Sequence, residues 1–163
     1  MRIAPLPEGV FLVGLASVFW REAWKYGERA FRYCQHDTGH AIAALAFAAR
    51  ALGWRMWRLD DVPDDVAEKL LGLDRHSEFH AEELEHAECL LLVDARDKAV
   101  NEYPEPEWES VATALHFEGR PNVLSPDHVD WSMSAVLKDA RTPASNKRAS
   151  ALKKFRILSR LSP

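Results

Sequence analysis

Residues 21–40, REAWKYGERAFRYCQHDTGH, concentrate side chains that bind anions or transfer protons. Read as one helix, the stretch places Lys25, Arg29 and Arg32 at positions i, i+4 and i+7, so that the three cations form one stripe. Tyr26 and Tyr33 form a second edge with the same spacing. Neighbouring cations on a helix repel one another unless an anion lies against them. The pattern leaves two interpretations open: a solvated basic helix face, or a site for a phosphate or an acidic partner.

A second group of titratable residues lies in HSEFHAEELEHAEC, residues 76–89. If this stretch were one helix, His76 and His80 would lie one turn apart, as metal ligands can. However, His80, His86 and Cys89 would not share a face with His76, and the spacing differs from HExxH. A solvated acidic segment that leads into a strand is the favoured interpretation, with a metal-binding domain as the alternative. No residue is assigned to a metal.

The remaining chemistry-bearing residues match no catalytic motif. Asp37 and His40 in HDTGH are better explained by helix capping and by local hydrogen bonding than by a catalytic pair. Ser17 has no GxSxG context, and Cys34 has no signature of a catalytic thiol. The sequence also contains no GxGxxG and no GxxxxGK[ST] motif. These observations exclude hydrolases, kinases and dinucleotide-binding enzymes of the ordinary kinds.

The elements that must position these residues can be read from apolar runs and helix signals. The segment Gly9–Trp20 predicts a strand buried on both faces. A helical region follows, with a break near HDTGH, where Asp37 or Thr38 would cap a second helix that stops at Gly53. The rest of the predicted elements are a short strand at residues 54–59, a helix from Pro63 to Gly72 and a strand at residues 89–93. This order predicts an α+β or α/β layered domain, and we expect α+β.

Composition and charge set the broad class. The 163 residues are 47% hydrophobic and 28% charged, which is ordinary for one globular domain. No apolar run is long enough to span a membrane, and two cysteines suggest a reducing cytoplasm rather than a disulfide framework. Residues 1–100 form the predicted domain. Residues 101–163 are predicted to be a connector that carries a loop at 101–109, a helix from SPDH to Lys138 and a basic helix at 149–161.

The basic tail, residues 141–163, has seven lysines and arginines and no acidic residue. Such a tail can bind nucleic acid or acidic lipid. It contains one aromatic residue, Phe155, and no recognised binding module, so we expect neither a nucleic-acid nor a membrane partner.

The opening stretch also resembles a signature of the FMN-dependent nitroreductase superfamily, in its SagB-type (azoline) dehydrogenase branch. That branch commonly shows KYxxRxxRYxxxDxGHxxQNLxLxAxALGL, which aligns with Lys25 through Gly53. Two further segments agree in order: residues 70–78, LLGLDRHSE, resemble LLGLDGxxE, and CLLLVDA takes the place of the closing apolar strand. The resemblance covers about residues 10–95.

This resemblance implies a nitroreductase-like sheet packed with helices, FMN held between two half-domains or two subunits, and two-electron hydride transfer through the flavin. It assigns proton transfer to Lys25 and Tyr26. A lysine near a flavin and neighbouring cations would have a lowered pKa, which makes it a usable base close to neutral pH. Cofactor binding is assigned to Arg29, Arg32, Gly39 and His40. A peptide carrying an azoline ring is the implied substrate.

Several features of the family pattern are missing. The arginine-rich RRSxR-like segment and the SGGxxHPxE-like segment are absent, and Ala43-Ala44 stands in place of Gln-Asn. We therefore expect a partial or truncated member with an incomplete N-terminal part. It would need a homodimer partner or a companion chain to complete the flavin site. The alternative is a non-catalytic interaction protein built on a degenerate nitroreductase fold, which binds a partner through its alanine-rich helix and basic tail.

Overall fold

A computed structural model of the chain describes residues 6–96 and 106–127. In chain order the elements are β1 (Val10–Ser17), α1 (Phe19–Tyr26), α2 (Ala30–Ala51), β2 (Arg55–Arg58), α3 (Asp64–Leu71), β3 (His86–Asp94) and α4 (Trp108–Ala114). Short 3-10 turns occur at Gly27–Arg29, His76–Glu78 and Ala81–Glu83. The predicted order of strands and helices is confirmed. The class is α+β, because the sheet is antiparallel.

The sheet has the order β1-β3-β2, and β3 pairs antiparallel with both neighbours. Val10 lies opposite Asp94, and Arg55 pairs with the same residue from the other side. Leu90–Val93 are between 0% and 4% exposed. A central strand is covered by strands on both edges and by side chains on both faces, which explains the continuous apolar run in its sequence.

The prediction of a fully buried strand over Gly9–Trp20 is wrong in two respects. The strand ends at Ser17, and Phe19 and Trp20 open α1, where both are buried. Only Val10 of β1 is fully buried, while Phe11 is exposed. Within the described residues β1 lies at the edge of the sheet, so its apolar residues are half-covered rather than enclosed.

The prediction of a helix break near HDTGH is also wrong. α2 runs without interruption through Asp37 and Thr38, and neither residue is an N-cap. The chain breaks earlier, at Gly27, whose φ of 55° and ψ of −135° end α1. Such a φ is readily adopted only by glycine. The predicted stop at Gly53 is confirmed, since α2 ends at Ala51 and Gly53 has a positive φ.

The principal core lies where α3 and α4 pack on the sheet. Its buried members come from three elements: Val66, Ala67, Leu70, Leu90 and Ala112. The predicted helix ending at Gly72 is confirmed by α3 and its left-handed C-cap. The predicted loop at 101–109 is wrong at its end, because Trp108 and Glu109 begin α4. A salt bridge of 2.7 Å from Lys69 to Glu109 ties α4 to α3.

The buried carboxylate of Asp94 lies at the end of the sheet, where β3 pairs with both neighbouring strands. Asp94 is 1% exposed and accepts hydrogen bonds from Arg55 at 3.1 Å and from Arg96 at 2.8 and 3.0 Å. The hydrogen bonds from Arg96, with the charge of both guanidinium groups, lower the pKa of Asp94. This pairing holds the end of β3 to β2.

Within residues 6–96 and 106–127, no helix is both long enough and apolar enough to cross a membrane. The predicted helix to Lys138, apart from its first residues at 125–127, and the predicted basic helix at 149–161 lie outside the described residues.

Candidate functional site

The basic and aromatic residues of the opening stretch do not share one helix. Lys25 and Tyr26 end α1, Arg29 closes the 3-10 turn, and Arg32 and Tyr33 lie in the first turn of α2. The predicted single stripe of cations is therefore wrong, because the turn at Gly27 separates the segment into two helices. All three cations are exposed. They are close together in sequence, but they belong to three different elements.

The turn brings two tyrosines together. The rings of Tyr26 and Tyr33 are 4.2 Å apart between centroids, and the Lys25 Nζ lies 5.1 Å from the centroid of the Tyr26 ring. The predicted edge of two tyrosines on one helix is therefore wrong, because Tyr26 ends α1, Tyr33 lies in α2, and their rings meet across the turn. Two rings in tilted contact, with a cation near one of them, form a compact aromatic group. We call Lys25, Tyr26 and Tyr33 the aromatic turn.

The expected lowering of the Lys25 pKa is not found in this chain. Hydrogen bonding to the Tyr26 side chain and the charge of that group raise the pKa of Lys25, and Glu22 adds to the same effect. Lys25 is exposed, so burial does not outweigh these contributions. At neutral pH Lys25 is an ammonium ion, which donates a proton rather than accepting one.

Arg29 and Arg32 remain available to an anion. Among the described residues, no carboxylate forms a salt bridge with either guanidinium group. The Nε of Arg32 donates to the Nε2 of His36 at 3.5 Å, one turn along α2. Two exposed arginines with unoccupied donors have the chemistry that phosphate binding requires. The donor set therefore fits the phosphate of FMN, while neither Arg29 nor Arg32 lines the clefts of about 560 and 550 Å³ found in the described residues.

Gly39 and His40 lie in the exposed middle of α2. A methyl group added at Gly39 would meet no atom within 4 Å. A glycine in a helix interior costs about 0.5–1 kcal/mol relative to alanine, and no contact within the chain requires it here. Three large apolar side chains are also exposed on α1 and α2: Trp24 at 55%, Tyr33 at 39% and Phe47 at 79%.

Clefts occur elsewhere in the described residues, and one of about 550 Å³ is lined by Arg75, Glu78 and Phe117. A cleft of about 560 Å³ opens between the end of β1, the first turn of α1 and α2. None of the six predicted site residues lines it. Sequence reasoning considered Ser17, Cys34 and Asp37, which do line it, but assigned them no site. They are brought together with Glu83 and Leu124 only by the fold, so no local pattern marks the cleft.

The histidine-rich stretch does not form one helix. His76 begins a 3-10 turn, while His86 and Cys89 belong to β3. The stretch leads into a strand, as the favoured interpretation expects, but it is not solvated throughout, because Glu83 is 5% exposed. In the part of the chain that the structure describes, no three histidine, cysteine or carboxylate side chains are grouped as metal ligands would be.

Comparison of the chain with models of protein families, with curated proteins and with solved structures finds no match. The resemblance to flavin-dependent nitroreductases therefore stays a prediction carried by the motif residues.

Proposed function

We propose that the chain is part of an FMN-dependent oxidoreductase of the SagB-type dehydrogenase kind, and that a second chain completes its flavin site. The second chain is another copy of this protein or a companion polypeptide. Bound FMN would supply two-electron hydride transfer, with a peptide as the substrate. A cytoplasmic location is part of this proposal.

One observation carries the proposal: the residues assigned to the flavin site lie on an exposed surface and not in a cavity. Arg29 and Arg32 offer guanidinium donors to a phosphate and form no described salt bridge that would compete. Large apolar side chains are exposed on the same two helices, α1 and α2, and where such side chains form one patch they mark a site that another molecule covers. Gly39, which no contact in the chain requires, leaves room for a close approach from outside.

The Lys25–Tyr26 pair supplies the proton chemistry. In the chain alone the pKa of Lys25 is raised, so the ammonium form holds a proton at the aromatic turn. Covering this group with a second chain would desolvate it, and desolvation favours the neutral amine. Lys25 would then act as a base only in the assembled site, which couples proton transfer to assembly.

The proposal is tested first by titrating the purified chain with FMN and following flavin fluorescence at several protein concentrations. We expect saturable quenching that strengthens with protein concentration, since two chains form the site. The double variant Arg29→Ala/Arg32→Ala should weaken FMN binding about ten-fold or more, because charge-assisted contacts to the phosphate are lost. Arg120→Ala, an exposed arginine outside α1 and α2, is the matched control and should leave binding unchanged. Equal affinity of the double variant would contradict the assignment of these arginines.

The role of Lys25 is tested by turnover of an azoline-containing peptide or a nitroaromatic compound. Lys25→Ala should reduce turnover by about 10²–10⁴-fold, the usual contribution of a positioned acid or base. Its thermal unfolding should be unchanged, since Lys25 is exposed. Glu28→Gln, two residues beyond the pair, serves as the control. Unchanged turnover in Lys25→Ala would sink the enzyme proposal.

A second candidate function is a non-catalytic interaction protein. The observation that favours it is the same exposed surface, with Phe47 at 79% exposure. This function predicts no FMN quenching at any protein concentration. It also predicts that deletion of residues 141–163 weakens partner capture while substitution of Lys25 has no effect.

A further inference from the structure

The cleft at the end of β1 has the size of a small-molecule site. Its volume of about 560 Å³ lies within the usual range for such sites. Apolar side chains form much of its wall, contributed by separate segments of the chain: Leu15, Val18, Ala41, Phe79, Pro121 and Leu124. The aromatic turn, Arg29 and Arg32 lie outside it. This cleft therefore needs an explanation separate from the proposed flavin chemistry.

The wall formed by Pro121–Leu124 is fixed in place by a buried carboxylate. Glu83 is 5% exposed and accepts the backbone N–H groups of Leu124 at 2.6 Å and Ser125 at 3.0 Å. Two hydrogen bonds from backbone amides to a carboxylate are of the strong, charge-assisted kind. They hold one side of the cleft before any ligand arrives, and a preformed wall lowers the entropic cost of binding.

The charges on the cleft are unbalanced. Besides Glu83, which binds backbone amides, the carboxylates of Glu22, Asp37 and Glu85 line it, against the single guanidinium of Arg21. In the described part of the chain, none of these three carboxylates forms a salt bridge. A concave surface with apolar walls concentrates the field of such charges. The cleft therefore favours a positively charged ligand.

The negative charges around the cleft also affect the pKa of Cys34, a thiol that lines it. Cys34 is buried, and burial raises the pKa of the Cys34 thiol to about 11, although a hydrogen bond with Ser17 acts in the opposite direction. The negative charges of Glu22 and Asp37 add to the rise. The thiol is neutral at physiological pH, so it contributes an apolar, unreactive surface.

We propose that this cleft binds an organic cation, a primary ammonium group carried on an apolar body. The ammonium would lie toward Glu22, Asp37 and Glu85, and the apolar body against Leu15, Val18 and Phe79. A free amine and a lysine side chain presented between apolar residues of a peptide share this chemistry. The inference does not depend on FMN binding.

The test uses the full chain and isothermal titration with 2-phenylethylammonium, with 2-phenylethanol as the uncharged match. We expect saturable binding of the amine, at least about ten-fold tighter than the alcohol and weaker at high salt. Asp37→Asn should weaken amine binding about five-fold, as expected for the loss of one partly exposed charge pair. Glu28→Gln removes an exposed carboxylate outside the cleft and should have no effect. Lys25→Ala should also bind the amine normally, whatever its effect on turnover.

The two sources of the ammonium are separated by titrating the blocked peptide acetyl-Leu-Lys-Leu-amide in parallel. Tighter binding of the peptide would assign the cleft to a lysine side chain, and tighter binding of the small amine to a free metabolite-sized ligand. Absence of saturable binding by both probes would overturn the proposal. Equal affinity for 2-phenylethanol, or unchanged affinity in both Asp37→Asn and Glu22→Gln, would overturn it as well.

Discussion

Two regions of this chain differ in how completely their apolar side chains are buried and their charged side chains are paired. Where α3 and α4 meet β3, apolar residues are buried together, and the carboxylate of Asp94 is met by two guanidinium groups. Along α1 and α2, Phe47 and Trp24 are exposed, and among the described residues Lys25, Arg29 and Arg32 form no salt bridge. The first region stabilises the fold within the chain. The second has the composition of a surface that binds something else.

The strongest test of this difference is to truncate one large apolar residue in each region and to compare the loss of stability. Leu70→Ala should lower the free energy of unfolding by about 2–5 kcal/mol, because Leu70 is buried in the core. Phe47→Ala should change it by less than about 0.5 kcal/mol in dilute solution, since an exposed side chain loses little. Urea unfolding measures both. A cost above about 2 kcal/mol for Phe47→Ala that is independent of protein concentration would show that the chain itself uses Phe47.

Comparing Phe47→Ala with the unmodified protein also distinguishes a second copy of this chain from a companion polypeptide. If another copy covers α2, the unfolding midpoint of the unmodified protein should rise with protein concentration, and Phe47→Ala should remove this dependence. A midpoint independent of concentration would favour a companion chain.

The next largest effect is expected at Asp94. Asp94→Asn should cost about 2–3 kcal/mol, because it removes a buried charge and leaves Arg55 and Arg96 without their shared partner. Asp60→Asn, which breaks the exposed pair with Arg58, is the control and should cost less than about 1 kcal/mol. Equal costs in the two variants would mean that burial of Asp94 is not what makes its pairing matter.

Acid unfolding provides a second reading of Asp94. Its pKa is lowered in the folded chain from the ordinary value of 3.8. Its stabilising contribution is therefore present above that ordinary value and is lost as the pH falls through the folded-state pKa. Asp94→Asn should accordingly flatten the loss of stability with falling pH in this acidic range.

The smallest expected effect sharpens the description of the exposed region. Gly39→Ala should raise the free energy of unfolding of the chain by about 0.5–1 kcal/mol, because alanine favours the helix and the added methyl group meets no neighbour. If a second chain approaches at this position, the same variant should weaken FMN binding or association. A gain in stability with no loss of binding would remove Gly39 from the proposed site.

Elements were predictable from sequence where several signals agreed. α3 has Pro63 before it, acidic residues in its first turn and Gly72 after it, and all three point to the same boundaries. At HDTGH a single capping signal was outweighed by the continuous alanine-rich helix that packs on α1. The break at Gly27 was missed because helical periodicity persists across it, and only the positive φ of the glycine reveals the turn.

The candidate site was predictable only in part. Residue types and spacing singled out Lys25, Tyr26, Arg29 and Arg32, but the contact between Tyr26 and Tyr33 could not be anticipated, because it depends on the turn between α1 and α2. The direction in which the pKa of Lys25 shifts could not be predicted, because it depends on the exposure of Lys25 and on its contact with Tyr26. The cleft depends on bringing Ser17, Cys34 and Leu124 together, which is a property of the fold.

Because α2 is a continuous helix, it fixes the distance between the residues along it. Its 22 residues extend about 33 Å at 1.5 Å per residue, and the separation of fifteen positions between Arg32 and Phe47 corresponds to about 22 Å. An anion bound at Arg32 and a partner that contacts Phe47 would therefore be held at a fixed separation by one continuous helix. Each contact can be removed by mutation without touching the other, yet a shift of the helix would displace both together.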